Sequence, residues 1–118
     1  MSDPSCIFCK IIRGEIPAKK VYEDKEVLAF LDIHPLAPVH VLIIPKLHVA
    51  SLAECDSGHQ EMLGKLLLLA PQIAQEQGAK DGFRSIVQTG KVGGQEVYHL
   101  HMHILGGPHK LPPMISRA

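Results

Sequence analysis

The residues of this chain best suited to chemistry are three histidines that alternate with apolar residues, His99, His101 and His103. Successive side chains of a β-strand point to opposite faces, so a strand over 97–105 places the three imidazoles on one face. Imidazole has an ordinary pKa of about 6.5 and can serve as nucleophile, base, acid or metal ligand near neutral pH. The pattern predicts a reactive cluster; the alternative is a solvated face that happens to be rich in histidine.

A histidine is itself the best candidate for a nucleophile. Nothing in the sequence singles out Ser51, Ser85 or Cys55 for that role, whereas His101 is flanked on its own face by two more imidazoles. Histidine attacks phosphorus well, and water can break the resulting bond. Charge that develops on a phosphoryl group needs donors, and Gly93-Gly94 could present backbone N–H groups to it. A pair of glycines is equally typical of an ordinary hairpin turn.

Two cysteines separated by two residues, Cys6 and Cys9, suit half of a tetrahedral zinc site. His48 and His99 are the candidates for the other two ligands, and the choice of His99 leaves two histidines of the triplet for chemistry. Two alternatives remain open. The cysteines could simply be buried on a short helix, or they could form a redox pair, although no thioredoxin-like strand precedes them.

Two further polar residues border predicted strands. His40 precedes an apolar run and would reach the triplet if the two strands pair, but a core or loop histidine would look the same in the sequence. Asp32 could accept hydrogen bonds from a ribose diol, or it could cap a turn. His59 and His109 are interpreted as surface residues.

The elements that must position these residues form an α+β pattern. The spacing of apolar residues predicts a short helix over 6–13, a long helix from about 57 to 77, and strands over 21–23, 27–32, 39–45, 83–89 and 97–105. Gly14 and Gly78 are expected to end the two helices. Pro71 lies inside the long helix, where its missing N–H and its ring predict a kink or a break.

Composition excludes several classes of protein. The 118 residues suit one domain with a single, mainly aliphatic core, and the 12 basic residues balance the 12 acidic ones. No basic stripe points to nucleic acid, and the longest apolar run is too short to span a bilayer. The first residues lack the pattern of a signal peptide, so a soluble cytoplasmic protein with reduced cysteines is expected.

The histidine stretch resembles the signature of the histidine triad (HIT) family, His-x-His-x-His followed by apolar residues. Five further blocks are similar, in order, to the Hint branch of that family and to its bacterial members most of all. They cover residues 7–18, 29–33, 37–40, 44–46 and 93–98.

The resemblance implies a fold and an assembly. A single HIT domain over 1–118 is expected, with 1–5 and 109–118 as flexible or dimer-contacting tails. Its α+β fold would be a five-stranded antiparallel sheet with one long and one short helix. In the homodimers of this branch the two sheets join into one of ten strands. A small purine nucleotide is the implied substrate, with no nucleic-acid or membrane partner.

The resemblance also implies an activity. Hint proteins hydrolyse nucleoside 5′-phosphoramidates, typically those of adenosine, through a nucleotidyl-histidine intermediate. By position, His101 is the nucleophile, His103 contacts the phosphate and assists the leaving group, and His99 and His40 complete the hydrogen-bonded cluster. The implied nucleotide-binding residues are Ile7, Phe8, Phe30, Ile33 and Leu42 at the base, Asp32 at the ribose, and Gln88, Gly94 and Glu96 near the phosphate.

Zinc is the cofactor that the resemblance implies, in a structural role and with no organic cofactor. Some bacterial relatives, and the related galactose-1-phosphate uridylyltransferases, bind it through a similar cysteine pair and two histidines. The matching positions here are Cys6, Cys9, His48 and His99. A zinc-bound His99 could not also relay protons freely, so its two implied roles compete.

Three departures from the Hint pattern leave the leaving group open. Gln88 stands where members usually carry Asn, Glu96 stands where animal members carry Ser, and the tail over 108–118 differs from the animal one. Alternative functions are a dinucleoside polyphosphate hydrolase, a nucleotide-binding regulatory module with incidental turnover, and a zinc protein that uses all three histidines of the triplet.

Overall fold

Five antiparallel strands form one sheet with a helix on each face, which confirms the predicted α+β architecture. The computed structural model describes residues 3–115. The strand order is β1-β2-β3-β5-β4, with α2 packed on one face and α1 on the other. In chain order the elements are α1 (Ile7–Ile12), β1 (Lys20–Glu23), β2 (Val27–Leu31), β3 (Val39–Pro45), α2 (Gln60–Glu76), β4 (Phe83–Ile86) and β5 (Met102–Gly106).

Strand β3 is the centre of the sheet, and all seven of its residues are buried. Val41 and Ile43 belong to the core beneath α2, whereas Leu42 and Ile44 belong to the core beneath α1. A strand covered on both faces needs a continuous apolar run, which explains the sequence there. Leu42 lies opposite His103 on β5, so this pairing brings two segments that carry histidines together.

Helix α2 begins at Gln60, directly after a 3₁₀ turn over Ser57–His59, and runs to Glu76. A kink or a break was predicted at Pro71, and the break is wrong, because the helix continues through that residue. A proline removes one backbone hydrogen bond, and the neighbouring turns stay anchored by residues that the helix buries against the sheet. Gly78 follows the helix with a φ of +103°, as its predicted capping position requires.

Strand β5 is shorter than the predicted 97–105, so His99 and His101 precede the strand instead of lying in it. Its pairing stops at Met102, opposite Ile43 of β3, and at His103, opposite the last residue of β4. For the same reason β4 stops at Ile86, short of the predicted residue 89. The alternation nevertheless persists before the strand, since the apolar residues of the stretch are buried in the core beneath α2, namely Leu100, Met102 and Ile104.

The turn between β1 and β2 is tied to α2 by two carboxylates, those of Asp24 and Glu26, which both bind Lys65. Asp24 Oδ2 lies 2.8 Å from Lys65 Nζ on the helix and accepts a hydrogen bond of 2.7 Å from the Tyr22 hydroxyl. Its Oδ1 accepts from the backbone N–H groups of Glu26 and Val27. These partners hold the pKa of Asp24 well below its usual range, although partial burial opposes them. Within residues 3–115, none of the helices has both the length and the apolar character that crossing a membrane requires.

Candidate active site

A cleft of about 250 Å³ opens between α1 and the sheet, on the same face as the second apolar core. Every residue predicted to bind nucleotide lines it except Gly94. His101 and His103 lie in its wall. The predicted residues in the lining are Ile7, Phe8, Phe30, Asp32, Ile33, Leu42, Gln88 and Glu96.

Part of the lining was missed by the sequence analysis. The segment over 16–18, which leaves α1 and leads to β1, covers the cleft on one side. A proline and small apolar residues directly after a helix stop are a weak signal, because such a segment is equally typical of a connecting loop. The other residues not predicted are Ile11, Leu31 and Val97.

Phe8 connects the apolar end of the cleft to the histidines. Its ring meets Phe30 edge to face at 5.6 Å between centroids, and it meets His101 in the same way at 5.2 Å. Aromatic rings prefer this arrangement, which places a positive ring edge against a negative face. The short helix α1 therefore contributes both a wall of the cleft and a support for His101.

The imidazole of His101 is oriented by the main chain. Its Nδ1 lies 2.8 Å from the carbonyl oxygen of His99, which can only accept, so Nδ1–H is the donor. In the neutral ring the lone pair then resides on Nε2. The side chain is 7% exposed and lines the cleft, so this arrangement can present an unprotonated nitrogen to a ligand.

A second chain of hydrogen bonds fixes the proton positions on His40 and His103. The backbone N–H of Leu36 donates to His40 Nδ1 at 3.0 Å, which leaves the proton of the neutral ring on Nε2. That N–H donates to His103 Nδ1 at 2.9 Å, so the proton of His103 resides on Nε2. This Nε2 is buried and has no hydrogen-bond partner within residues 3–115. An unpaired buried donor in the wall of a cleft suits an anionic ligand.

Burial keeps these rings neutral. Desolvation lowers the pKa of His103 to about 4, and nearby His101 and His40 act in the same direction. Desolvation also lowers the pKa of His40, against the opposing charge of Asp32, whose Oδ2 lies 3.5 Å from His40 Nε2. His103 can therefore donate from Nε2 without carrying a positive charge at neutral pH.

The four residues predicted to bind zinc come together beside α1. Their ligand atoms all lie within 4.8 Å of one another. Cys6 Sγ is 3.4 Å from His99 Nδ1, and Cys9 Sγ is 3.5 Å from His48 Nδ1. The two Nδ1 atoms are 3.1 Å apart. A tetrahedral zinc ion with typical bond lengths places its ligand atoms about 3.3–3.8 Å apart, so these four residues fit such an ion.

His99 belongs to this cysteine–histidine cluster and not to the pair formed by His40 and His103. It is fully buried, and its Nε2–H donates to the carbonyl oxygen of Pro45 at 2.8 Å. The lone pair of Nδ1 then points at the cysteines, and a fixed tautomer of this kind is typical of a metal ligand. Desolvation lowers its pKa to about 4. The three histidines of the triplet therefore do not converge on one metal position.

The loop before His99 borders the other end of the cleft. Gly94 has a φ of +84°, and a Cβ there would lie 3.1 Å from Gln88 Nε2, so the loop needs glycine at this point. The backbone N–H of Gly94 already donates to the carbonyl oxygen of Lys91. The side chains of Gln88 and Glu96, rather than that amide, face the cleft.

Comparison with known proteins gives consistent matches over most of the chain. The sequence profile of the HIT domain matches residues 13–110. The purine nucleoside phosphoramidase of Escherichia coli strain K12 is 49% identical over 111 residues, which are 93% of this chain and 92% of that protein. A 14 kDa zinc-binding protein of Zea mays is 49% identical over 109 residues, which are 91% of this chain and 85% of that protein. The structure of a histidine triad protein from Clostridium difficile is 47% identical, with a TM-score of 0.91 and coverage of 98% of this chain and 100% of that one.

Proposed function

The chain belongs to the HIT family, and on that premise we propose that it hydrolyses nucleoside 5′-phosphoramidates to a purine mononucleotide and an amine. The observation that carries this proposal is the pair of complementary nitrogens in the cleft wall. His101 offers a lone pair on Nε2, and His103 offers an unpartnered N–H on its own Nε2. A nucleophile beside a donor is what displacement at phosphorus needs.

The reaction then proceeds in two displacements. In the first, the lone pair of His101 Nε2 forms a bond to phosphorus while the bond from phosphorus to the amine breaks. The amine leaves with that electron pair and takes up a proton, and His103 Nε2–H donates a hydrogen bond to the phosphoryl group. In the second, water attacks phosphorus, the bond to His101 breaks, and the water gives up a proton. The sum consumes one water molecule.

The remaining lining of the cleft supports a purine nucleoside. Phe8, Phe30 and Leu42 offer apolar and aromatic surface to a base. Asp32 Oδ1 accepts from the backbone N–H of His34, which holds the carboxylate in place and leaves Oδ2 for the hydroxyls of a ribose. In this proposal His40 acts as a positioning residue for His103.

Mass spectrometry of the covalent intermediate tests the proposed function. The protein is mixed with adenosine 5′-phosphoramidate, quenched in alkaline denaturant and digested. The quench is alkaline because a bond from phosphorus to histidine is labile in acid. We expect an adenylyl group on His101. His101→Ala should lose turnover by at least about a hundredfold and still bind AMP, whereas His109→Ala, at an exposed histidine, should behave as the unaltered protein.

Two results would contradict the proposal. One is an unchanged rate in His101→Ala, or an adduct that maps to another residue. The other is faster turnover of diadenosine triphosphate than of the phosphoramidate, which would assign the cleft to dinucleoside polyphosphates instead.

We also propose that Cys6, Cys9, His48 and His99 hold a structural zinc ion, which when bound would fasten α1 to the sheet. The fit of the four ligand atoms and the zinc-binding relative from maize support this. Elemental analysis should give about one zinc per chain. Cys9→Ser should abolish it, while Cys55→Ser, outside the cluster, should keep it; equal zinc content in both variants would contradict the assignment.

A further inference from the structure

Gln95 is a buried polar residue that the proposed chemistry leaves without a role. It is 6% exposed, and its side-chain amide makes three hydrogen bonds. Oε1 accepts from a backbone N–H, and Nε2 donates to two carbonyl oxygens, so the orientation of the amide is unambiguous. All three partners are main-chain groups, in three different segments of the chain.

One of these hydrogen bonds closes the loop at the phosphate end of the cleft. The backbone N–H of Gly90 donates to Gln95 Oε1 at 2.9 Å, and the backbone N–H of Gln95 donates back to the carbonyl oxygen of Gly90 at 3.0 Å. This reciprocal pair holds the two ends of the loop over 90–95 together. The tips of the loop, including Val92, are exposed, so little else anchors it.

The other two bonds fasten the same loop to the segments that carry the histidines. Gln95 Nε2 donates to the carbonyl oxygen of Ala50 at 2.7 Å and to that of Val97 at 3.0 Å. Ala50 is two residues after His48, and Val97 is two residues before His99. The side chain of Gln95 therefore joins the loop to the two segments that carry His48 and His99.

Residues next to Gln95 face the opposite way. Glu96 and Val97 line the cleft, together with Gln88 from the strand side of the loop. The buried residue Gln95 is thus followed directly in the chain by residues that line the cleft, so a shift of Gln95 moves the cleft wall. On the basis of the proposed function, we propose that Gln95 is a positioning residue that sets the phosphate end of the cleft and leaves the base end untouched.

Ligand binding by Gln95→Met tests this proposal, because methionine keeps the length of the side chain and removes its hydrogen bonds. The two probes are AMP and adenosine, which differ only in the phosphate, and calorimetry measures both without any turnover. We expect the Kd for AMP to rise at least about tenfold and the Kd for adenosine to stay within about twofold.

Two matched variants separate positioning from other effects. Gln75→Met makes the same change at an exposed position of α2, and Ile73→Val weakens the core beneath α2 away from the cleft. Both should bind AMP as the unaltered protein does. Gln95→Met that binds both probes normally, or that loses both equally, would overturn the inference. Unaltered protein that fails to bind AMP would instead overturn the proposed function and the inference with it.

Hydrogen exchange keeps the proposal testable if Gln95→Met does not fold. In the unaltered protein the amide of Gly90 should exchange much more slowly than that of Val92, because only the former is bonded to a buried side chain. AMP should slow the exchange of Gly90 further. Equal exchange at the two amides would show that Gln95 does not hold the loop.

Discussion

At the scale of residues, main-chain groups decide which nitrogen of each reactive imidazole carries a proton. The carbonyl oxygen of His99 fixes the proton of His101, and the backbone N–H of Leu36 fixes that of His40 and, through it, that of His103. A side-chain partner could titrate, whereas a main-chain carbonyl or N–H group has one fixed role as acceptor or donor. The cleft therefore presents one acceptor nitrogen and one donor nitrogen before any ligand arrives.

The buried histidines should make the protein less stable in acid. The pKa of His103 is about 4 in the folded protein and about 6.5 in the unfolded chain, so the unfolded chain binds more protons between these values. The free energy of unfolding should therefore fall as the pH drops from about 6.5 to 4, by up to about 1.4 kcal/mol per pH unit for each such group. Urea denaturation at a series of pH values measures it.

His103→Gln removes one titrating group and should make this pH dependence less steep. His109→Gln, at an exposed histidine, should leave the slope unchanged. Equal slopes in the unaltered protein and His103→Gln would mean that His103 titrates alike in the folded and unfolded states.

The sequence predicted that the histidines of the triplet would lie close together, but it did not predict which partner each imidazole would contact. Alternation alone placed the three histidines on one face, and two of them, His101 and His103, do line the cleft. Spacing along a strand says nothing about ring orientation, however. That His99 turns to the cysteines while His103 turns to His40 depends on two distant groups, Pro45 and the N-terminus of α1. Long-range contacts of this kind have no local signature.

At the scale of elements, the Asp24 turn should contribute measurably to stability. Asp24→Asn keeps an oxygen for the backbone N–H groups but loses the ion pair with Lys65 and weakens the bond to Tyr22. We expect the free energy of unfolding at pH 7 to fall by about 0.5–1.5 kcal/mol. Because the pKa of Asp24 lies well below its usual range in the folded state, this difference should be fully present at neutral pH and shrink progressively as the pH falls below about 4.

Asp81→Asn is the matched control for this measurement, since Asp81 is exposed in the turn before β4. Chemical denaturation of the unaltered protein and of both variants at pH 7 and pH 3 gives the six values needed. A loss of stability in Asp24→Asn that is as large at pH 3 as at pH 7 would show that the carboxylate is not its source.

The bounds of a strand were predicted best where one sequence feature determines both of its ends. The bounds of β3 agree with the prediction at both ends, because a buried central strand requires an unbroken apolar run and Pro45 ends it. The bounds of β5 do not agree, because the apolar alternation continues past the point where its neighbours stop pairing. Alternation reports burial on one face, whereas the end of a strand depends on its partners.

At the scale of the whole molecule, the exposed apolar side of α2 supports a homodimer. Leu67 and Leu68 are 59% and 81% exposed. Strand β4 beside the helix is an edge of the sheet and leaves one side of its backbone unpaired by any other strand of the described chain. Apolar helix residues next to an open strand edge suit a second copy of the chain.

Sedimentation tests this assembly. The chain has a mass of 12.9 kDa, and we expect a species of twice that mass at micromolar concentration. Leu68→Glu should shift it to the monomer, because a buried charge at an interface is costly. Leu36→Glu is the matched control, since Leu36 is 80% exposed on the loop beside the cleft. A monomeric unaltered protein would rule the dimer out.

His99 serves two neighbourhoods at once, with its ring among the thiols and its carbonyl oxygen on His101. Oxidation of Cys6 or Cys9 would displace His99 and with it the imidazole of His101, although neither sulfur lines the cleft. Two samples with the same sequence and the same ligand could then differ in activity through storage history alone. Exposure to air and to chelators should therefore be controlled when this protein is purified and stored.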